Sequence, residues 1–184
     1  MEPVLKRHLA ATLLPLFCLF QSSASWAQEQ VRERDPARVD PVRMIECAYD
    51  VPTYLDYASV VSKDPQTLGL RKLESDNPFL YEYELATPIQ VFGLETRRIA
   101  MASGALLAAL DDVKPQTIAE RLKIEEPIRD DAFKYMAMRV VHHTLEQVSG
   151  VKETINTVIS LEVSTVITHP GKVLAGCSYR VNTF

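Results

Sequence analysis

No stretch of this chain carries the roughly 20 uninterrupted apolar residues that a helix needs to cross a membrane. The longest apolar run, Leu9 to Phe20, is too short and contains Pro15. Its six glycines stand singly, so no glycine-rich loop is available to cradle a phosphate. The strained turn G-x-S-x-G, which exposes a serine nucleophile, does not occur, nor does the helical zinc pattern H-E-x-x-H. C-x-x-C spacing is missing as well, which argues against thioredoxin-type redox chemistry. Positive charge is scarce: 20 basic residues face 24 acidic ones, a net charge of −4. Nucleic acid and anionic membrane surfaces both require concentrated positive charge, so neither is expected as a partner. The short pairs Arg71-Lys72 and Arg97-Arg98 read as solvated strand ends.

What is present begins with an address. Lys6 and Arg7 precede the apolar run, and Ser25-Trp26-Ala27 has the small-x-small pattern of a signal-peptidase site. Residues 1–27 are therefore expected to be a secretory leader cut after Ala27, placing the protein in the periplasm or outside the cell. A lipoprotein signal would want a small residue directly before its cysteine, whereas Phe17 precedes Cys18. Of three cysteines, Cys18 leaves with the leader; Cys47 and Cys177 remain, in a compartment where thiols oxidise. A structural Cys47–Cys177 disulfide is the expectation, with no metal and no cofactor. Loss of Glu2, Lys6 and Arg7 makes the chain one unit more acidic.

Residues 28–43 alternate in charge sign, hold Pro36 and Pro41, and have few apolar side chains, which predicts a flexible or loosely docked arm. Residues 44–184 suit one domain with its own core. Met44 to Tyr49 reads as a first short strand. Tyr54, Tyr57, Ala58 and Val61 fall at helical spacing and predict a short helix over 52–62, with Thr53 and Asp56 as a capping box. From there the period becomes two. Phe79, Tyr81, Tyr83 and Leu85 alternate with Leu80, Glu82, Glu84 and Ala86, a half-buried strand with one aromatic face. Residues 89–102 read as a hairpin with a three-residue loop over Gly93 to Glu95, which sets Ile89 opposite Ile99. Ser103 to Leu110 reads as a buried strand, and Pro115 opens a second short helix. Lys134 to Leu145 is another strand, and residues 155–167 and 173–181 form a long hairpin. Its two apolar faces agree in parity only if the loop is odd in length, which points Cys177 into the core.

Together these features predict an α+β fold: one mainly antiparallel sheet of about five to seven strands, with two short helices packed on one face. The disulfide would then make the first and last strands neighbours.

Chemistry-bearing residues are few. His142 and His143 are adjacent on one strand and face opposite sides, so they cannot share a metal. The acidic pairs Asp111-Asp112, Glu125-Glu126 and Asp130-Asp131 sit beside prolines or turns, where solvation and helix-end roles dominate. Phe79, Tyr81 and Tyr83 form the candidate binding surface, since an aromatic stripe either fills a core or makes a recognition face. The leading reading is a non-enzymatic, inhibitor- or immunity-like module that binds a protein or cell-envelope ligand. One alternative is an envelope hydrolase that uses loop carboxylates between Asp111 and Asp131 with His142 or His143. Another is an assembly factor tethered by the 28–43 arm.

Overall fold

An aspartate cap with a proline in the first turn opens each of the first three helical segments. In this computed structural model, which describes residues 35–147, 150 and 152–184, Asp35 Oδ1 accepts a hydrogen bond from Ala37 N (3.1 Å) ahead of a 3₁₀ turn, Pro36–Arg38. Asp40 Oδ1 accepts from Val42 N (2.9 Å) at the start of α1, Pro41–Ile45. Asp50 Oδ1 accepts from Thr53 N (2.9 Å) at the start of α2, Val51–Lys63. In each case proline occupies a first-turn position where no N–H is needed, and the carboxylate satisfies a free donor. The cap of α2 is thus Asp50; Thr53 lies inside the helix and is buried.

One expectation changes here. The leader and residues 28–34 lie outside the described residues, and the described part of the arm is docked: Val39 is buried, and Asp40 N donates to Tyr49 Oη at 3.3 Å. The strand expected from Met44 to Tyr49 is replaced by the end of α1 and a turn in which Cys47 has φ +61°. Met44 and Ile45 are neighbours and both fully buried. A strand with one covered face cannot bury consecutive side chains, whereas a short helix pressed onto a sheet can.

Eight strands form one antiparallel sheet: β1 Leu70–Lys72, β2 Tyr81–Val91, β3 Leu94–Ala102, β4 Ala105–Asp111, β5 Pro127–Asp130, β6 Tyr135–Gln147, β7 Thr154–Ser164 and β8 Lys172–Thr183. Between β4 and β5 runs α3, Pro115–Arg121. The order is β1-β2-β3-β4-β8-β7-β6-β5. The α+β antiparallel expectation holds, with eight strands rather than five to seven and three α-helices rather than two. The chain twice makes helix followed by a four-strand meander, and the two meanders join through antiparallel pairing of β4 with β8. The short edge strands β1 and β5 are too brief to show an alternation in sequence.

The β2–β3 register also differs from expectation. The turn is Phe92-Gly93, with φ +53° and +73°, so Ile89 lies opposite Thr96 and Ile99 opposite Tyr83. Two consecutive positive φ values match the twist of a tight hairpin. A bulge between Glu84 and Ile89 takes up the extra β2 residues; it contains Pro88, which has no N–H to give the ladder.

Both faces of the sheet centre are buried, by different means. On one face α1, α2 and α3 cover Ile99, Leu106, Leu110, Val163 and Val173. Tyr179 stacks on Tyr54 with ring centroids 4.6 Å apart, and its hydroxyl donates to Met44 O at 2.7 Å. On the opposite face Leu80 and Val166, from the loops after β1 and β7, pack on Ala100, Leu107, Ala109 and Leu174. The loop after β7 is tied to β2 by the buried pair His169 Nε2 and Glu82 Oε1, and to the loop after β1 by Asn77 Nδ2 donating to Thr168 Oγ1 at 3.3 Å. Glu82, expected on a solvent face, is therefore buried.

Cys177 is fully buried on the helix-covered face, the side its parity required, and is bonded to Cys47 with Cα atoms 5.1 Å apart. The bond joins the turn after α1 to a central strand rather than linking first and last strands: β1 is at the sheet edge, and β8 lies between β4 and β7.

Candidate functional site

The aromatic stripe of Phe79, Tyr81 and Tyr83 is divided by the fold. Tyr83 faces the helices and is buried among α2 and β3 side chains. Tyr81 shares that face but is half exposed, with Lys72 Nζ 5.5 Å from its ring centroid. Phe79 precedes β2, is largely exposed, and borders a groove on the opposite face. Tyr81 and Tyr83 line a recess with Tyr54, in which the Lys72 ammonium already takes up the face of Tyr81.

The groove beside Phe79 is the better candidate. It has a volume of about 410 Å³ and lies on the helix-free face, next to the part that the two loops cover. Leu107, Leu174, Met136 and Met138 give it an apolar floor, and Ile128 from β5 stands exposed at its border. Methionines adapt to irregular apolar shapes better than branched side chains do. Charge enters through Arg180, which pairs with Glu162, donates from Nε to Ser178 Oγ at 2.9 Å, and reaches Met138 Sδ at 3.8 Å. Lys134 also lines the groove and has no ion-pair partner among the described residues. On the same face of β7, two residues from Glu162, the buried Ser160 Oγ makes no hydrogen bond. An apolar cleft with a few fixed polar groups is the usual form of a binding site.

The groups proposed for hydrolysis are not brought together. Asp111 pairs with Lys172, and Asp130 accepts from Gln116 Nε2 at 3.4 Å. Asp131 closes the β5–β6 turn by accepting from Phe133 N (2.8 Å) and Lys134 N (2.9 Å); the Arg129 guanidinium and these N–H groups hold its carboxyl below the usual carboxylate range. From Tyr135, opposite Asp130, to His142 the strand runs on the order of 20 Å. His142 and His143 do face opposite sides, as their cross-strand partners Ile159 and Val158 require, and His143 Nε2 hydrogen-bonds Asn156 Oδ1 at 2.9 Å. Among the described residues no three His, Cys, Asp or Glu side chains stand close enough to hold a metal ion. No helix among the described residues is long and apolar enough to cross a membrane.

The sequence pattern singles out Phe79 but not the groove it borders. Met136, Met138, Glu162 and Arg180 each occupied correctly assigned faces, yet nothing local shows that β6, β7 and β8 lie beside the Phe79 loop. Comparison of the chain with protein-family models, with curated proteins and with solved structures gives no match.

Proposed function

We propose that this protein is an exported, non-enzymatic binding module, which takes an apolar segment of a protein or cell-envelope ligand into the groove beside Phe79. The observation that carries the reading is the groove itself: a methionine-lined apolar floor, with Lys134 and the Arg180–Glu162 pair as the polar groups. Such a site favours a ligand with an apolar body and an acidic end, because Arg180 is neutralised by Glu162 whereas Lys134 is not. The Cys47–Cys177 bond fits an oxidising, extracytoplasmic environment. The leader pattern ending at Ala27 makes the periplasm or the cell exterior the compartment, with Gln28 as the first residue of the working chain.

Two measurements test this. An apolar anionic dye, anilinonaphthalene sulfonate, should bind the purified protein, and Met138→Glu should weaken it about tenfold, the effect of roughly 1.4 kcal/mol, without altering the melting temperature. Equal binding by wild type and Met138→Glu would remove the groove as the site. Intact mass of the protein recovered from the exporting cell should correspond to a start at Gln28; retention of Met1 would remove export from the reading.

A further inference from the structure

β5 shields only the beginning of β6. Its ladder covers Tyr135, Met136 and Ala137, and from Met138 to Gln147 the side of β6 away from β7 has no strand beside it. Among the described residues no backbone hydrogen bond reaches that side either. The open edge is about 33 Å long at ordinary strand rise, and it is apolar in places: Val140 is 49% exposed and Leu145 59%. Long unpaired edges are templates for another strand.

We infer that this edge pairs with the same edge of a second copy, antiparallel, about a two-fold axis through His143. Side chains directly opposite in an antiparallel pair must lie on the same face of the sheet. On β6, Arg139, His142, Thr144 and Glu146 lie on the helix-covered face, opposite Leu161, Ile159, Thr157 and Ile155. Val140, His143 and Leu145 lie on the other, opposite Ser160, Val158 and Asn156. In a regular strand paired this way a residue and its mate always share a face; the extra residue of the β6 bulge, Val141, throws one arm out of that phase, and the two copies stay in phase with Val141 passed over in each, as it is against β7. With His143 opposite its own copy, His142 meets Thr144. After Val141 is passed over, Val140 meets Leu145 on the open face and Arg139 meets Glu146 on the helix face.

The register therefore brings apolar against apolar and cation against anion, each twice by symmetry, with no like-charged carboxylates or guanidiniums opposed. Arg139 Nε is held by Leu122 O at 3.1 Å, which leaves its terminal nitrogens for the carboxylate of the second copy. The resulting dimer has one continuous sheet crossing both protomers. The named pairs run from Arg139 to Glu146, and of the groove residues only Met138 adjoins them.

Sedimentation velocity on the purified protein over a concentration series reads the outcome. Wild type should dimerise. Arg139→Glu and Glu146→Arg should each weaken the dimer about tenfold, because each places like charges across both symmetric contacts. An equimolar mixture of the two variants should recover the dimer, since in the mixed pair every contact regains opposite charge. Near-UV circular dichroism of each variant checks that the monomer fold is unaltered, and Glu146, whose side chain has no hydrogen bond or ion pair among the described residues, is the safer of the two. A wild type that stays monomeric up to about 1 mM, the weakest association worth the name, overturns the inference. So do single variants that dimerise as wild type does, or a mixture that fails to recover.

Discussion

Removing the Cys47–Cys177 bond should destabilise the protein through its unfolded state. The bond closes a loop with a sequence separation of 130 residues, and the chain-entropy relation for a loop of that length gives about 5 kcal/mol at 25 °C. A domain is typically stable by about 5 to 15 kcal/mol in all, so this is a large share. Native contacts change little, because the remaining side chains keep their places and Cys177 is surrounded by apolar groups that accept an alanine. The perturbation is Cys47→Ala with Cys177→Ala, compared with the oxidised wild type in urea. For a slope of about 2 kcal/mol per molar, the midpoint should fall by roughly 2.5 M. The slope should also rise, since an uncrosslinked denatured chain exposes more surface than a looped one. Both signatures are needed. A midpoint shift equivalent to less than 1 kcal/mol, or a large shift with an unchanged slope, would refute the loop-entropy reasoning and assign the effect to native packing.

The tyrosines give a pH dependence with a defined sign. Burial pushes Tyr54 and Tyr57 up to about 12, the Asp40 carboxylate adding to the effect on Tyr57, and burial also raises Tyr179. Since the unfolded value is about 10, the native state keeps protons that the unfolded chain releases. Their contribution, on the order of a few kcal/mol together, is fully present below pH 10 and is lost as pH rises toward 12. Tyrosinate absorbance should therefore appear in two stages, the second coinciding with loss of secondary structure; a single reversible titration of all seven tyrosines near pH 10 would contradict this. His169→Ala leaves the buried Glu82 carboxylate without its partner and should cost about 3 to 5 kcal/mol. Glu82→Leu with His169→Phe should recover most of that loss in urea melts, and a single-variant cost below 1 kcal/mol would show that the loop after β7 is held on β2 by packing alone.

Where the pattern was long, the sequence was legible. The Thr154–Ser164 and Lys172–Thr183 strands each carry five or more alternations, enough to set Cys177 inward and require an odd loop, and both hold in the structure. The helix over 51–63 was legible for the same reason, its tyrosines and Val61 repeating with the helical period. Met44 to Tyr49 was misread because six residues cannot separate a strand from a helix end when adjacent apolar side chains are both buried. The β2–β3 turn was misread because apolar parity favoured Ile89 against Ile99, while Pro88 interrupts the ladder and a bulge resets the count. Phe79 and Tyr83 share sequence parity and yet serve opposite faces, because alternation applies only inside a strand and Phe79 precedes it.

Local sequence, then, determined the class of fold, the disulfide partners and the inward face of each long strand, since these follow from cysteine count and from side-chain periodicity a few residues in range. Only the tertiary structure decided that β4 would pair with β8, that Glu82 would meet His169, and that Phe79 would stand beside Met136 and Met138. Those neighbours are separated by tens of residues, and their meeting depends on how the two meanders dock, which no local periodicity encodes.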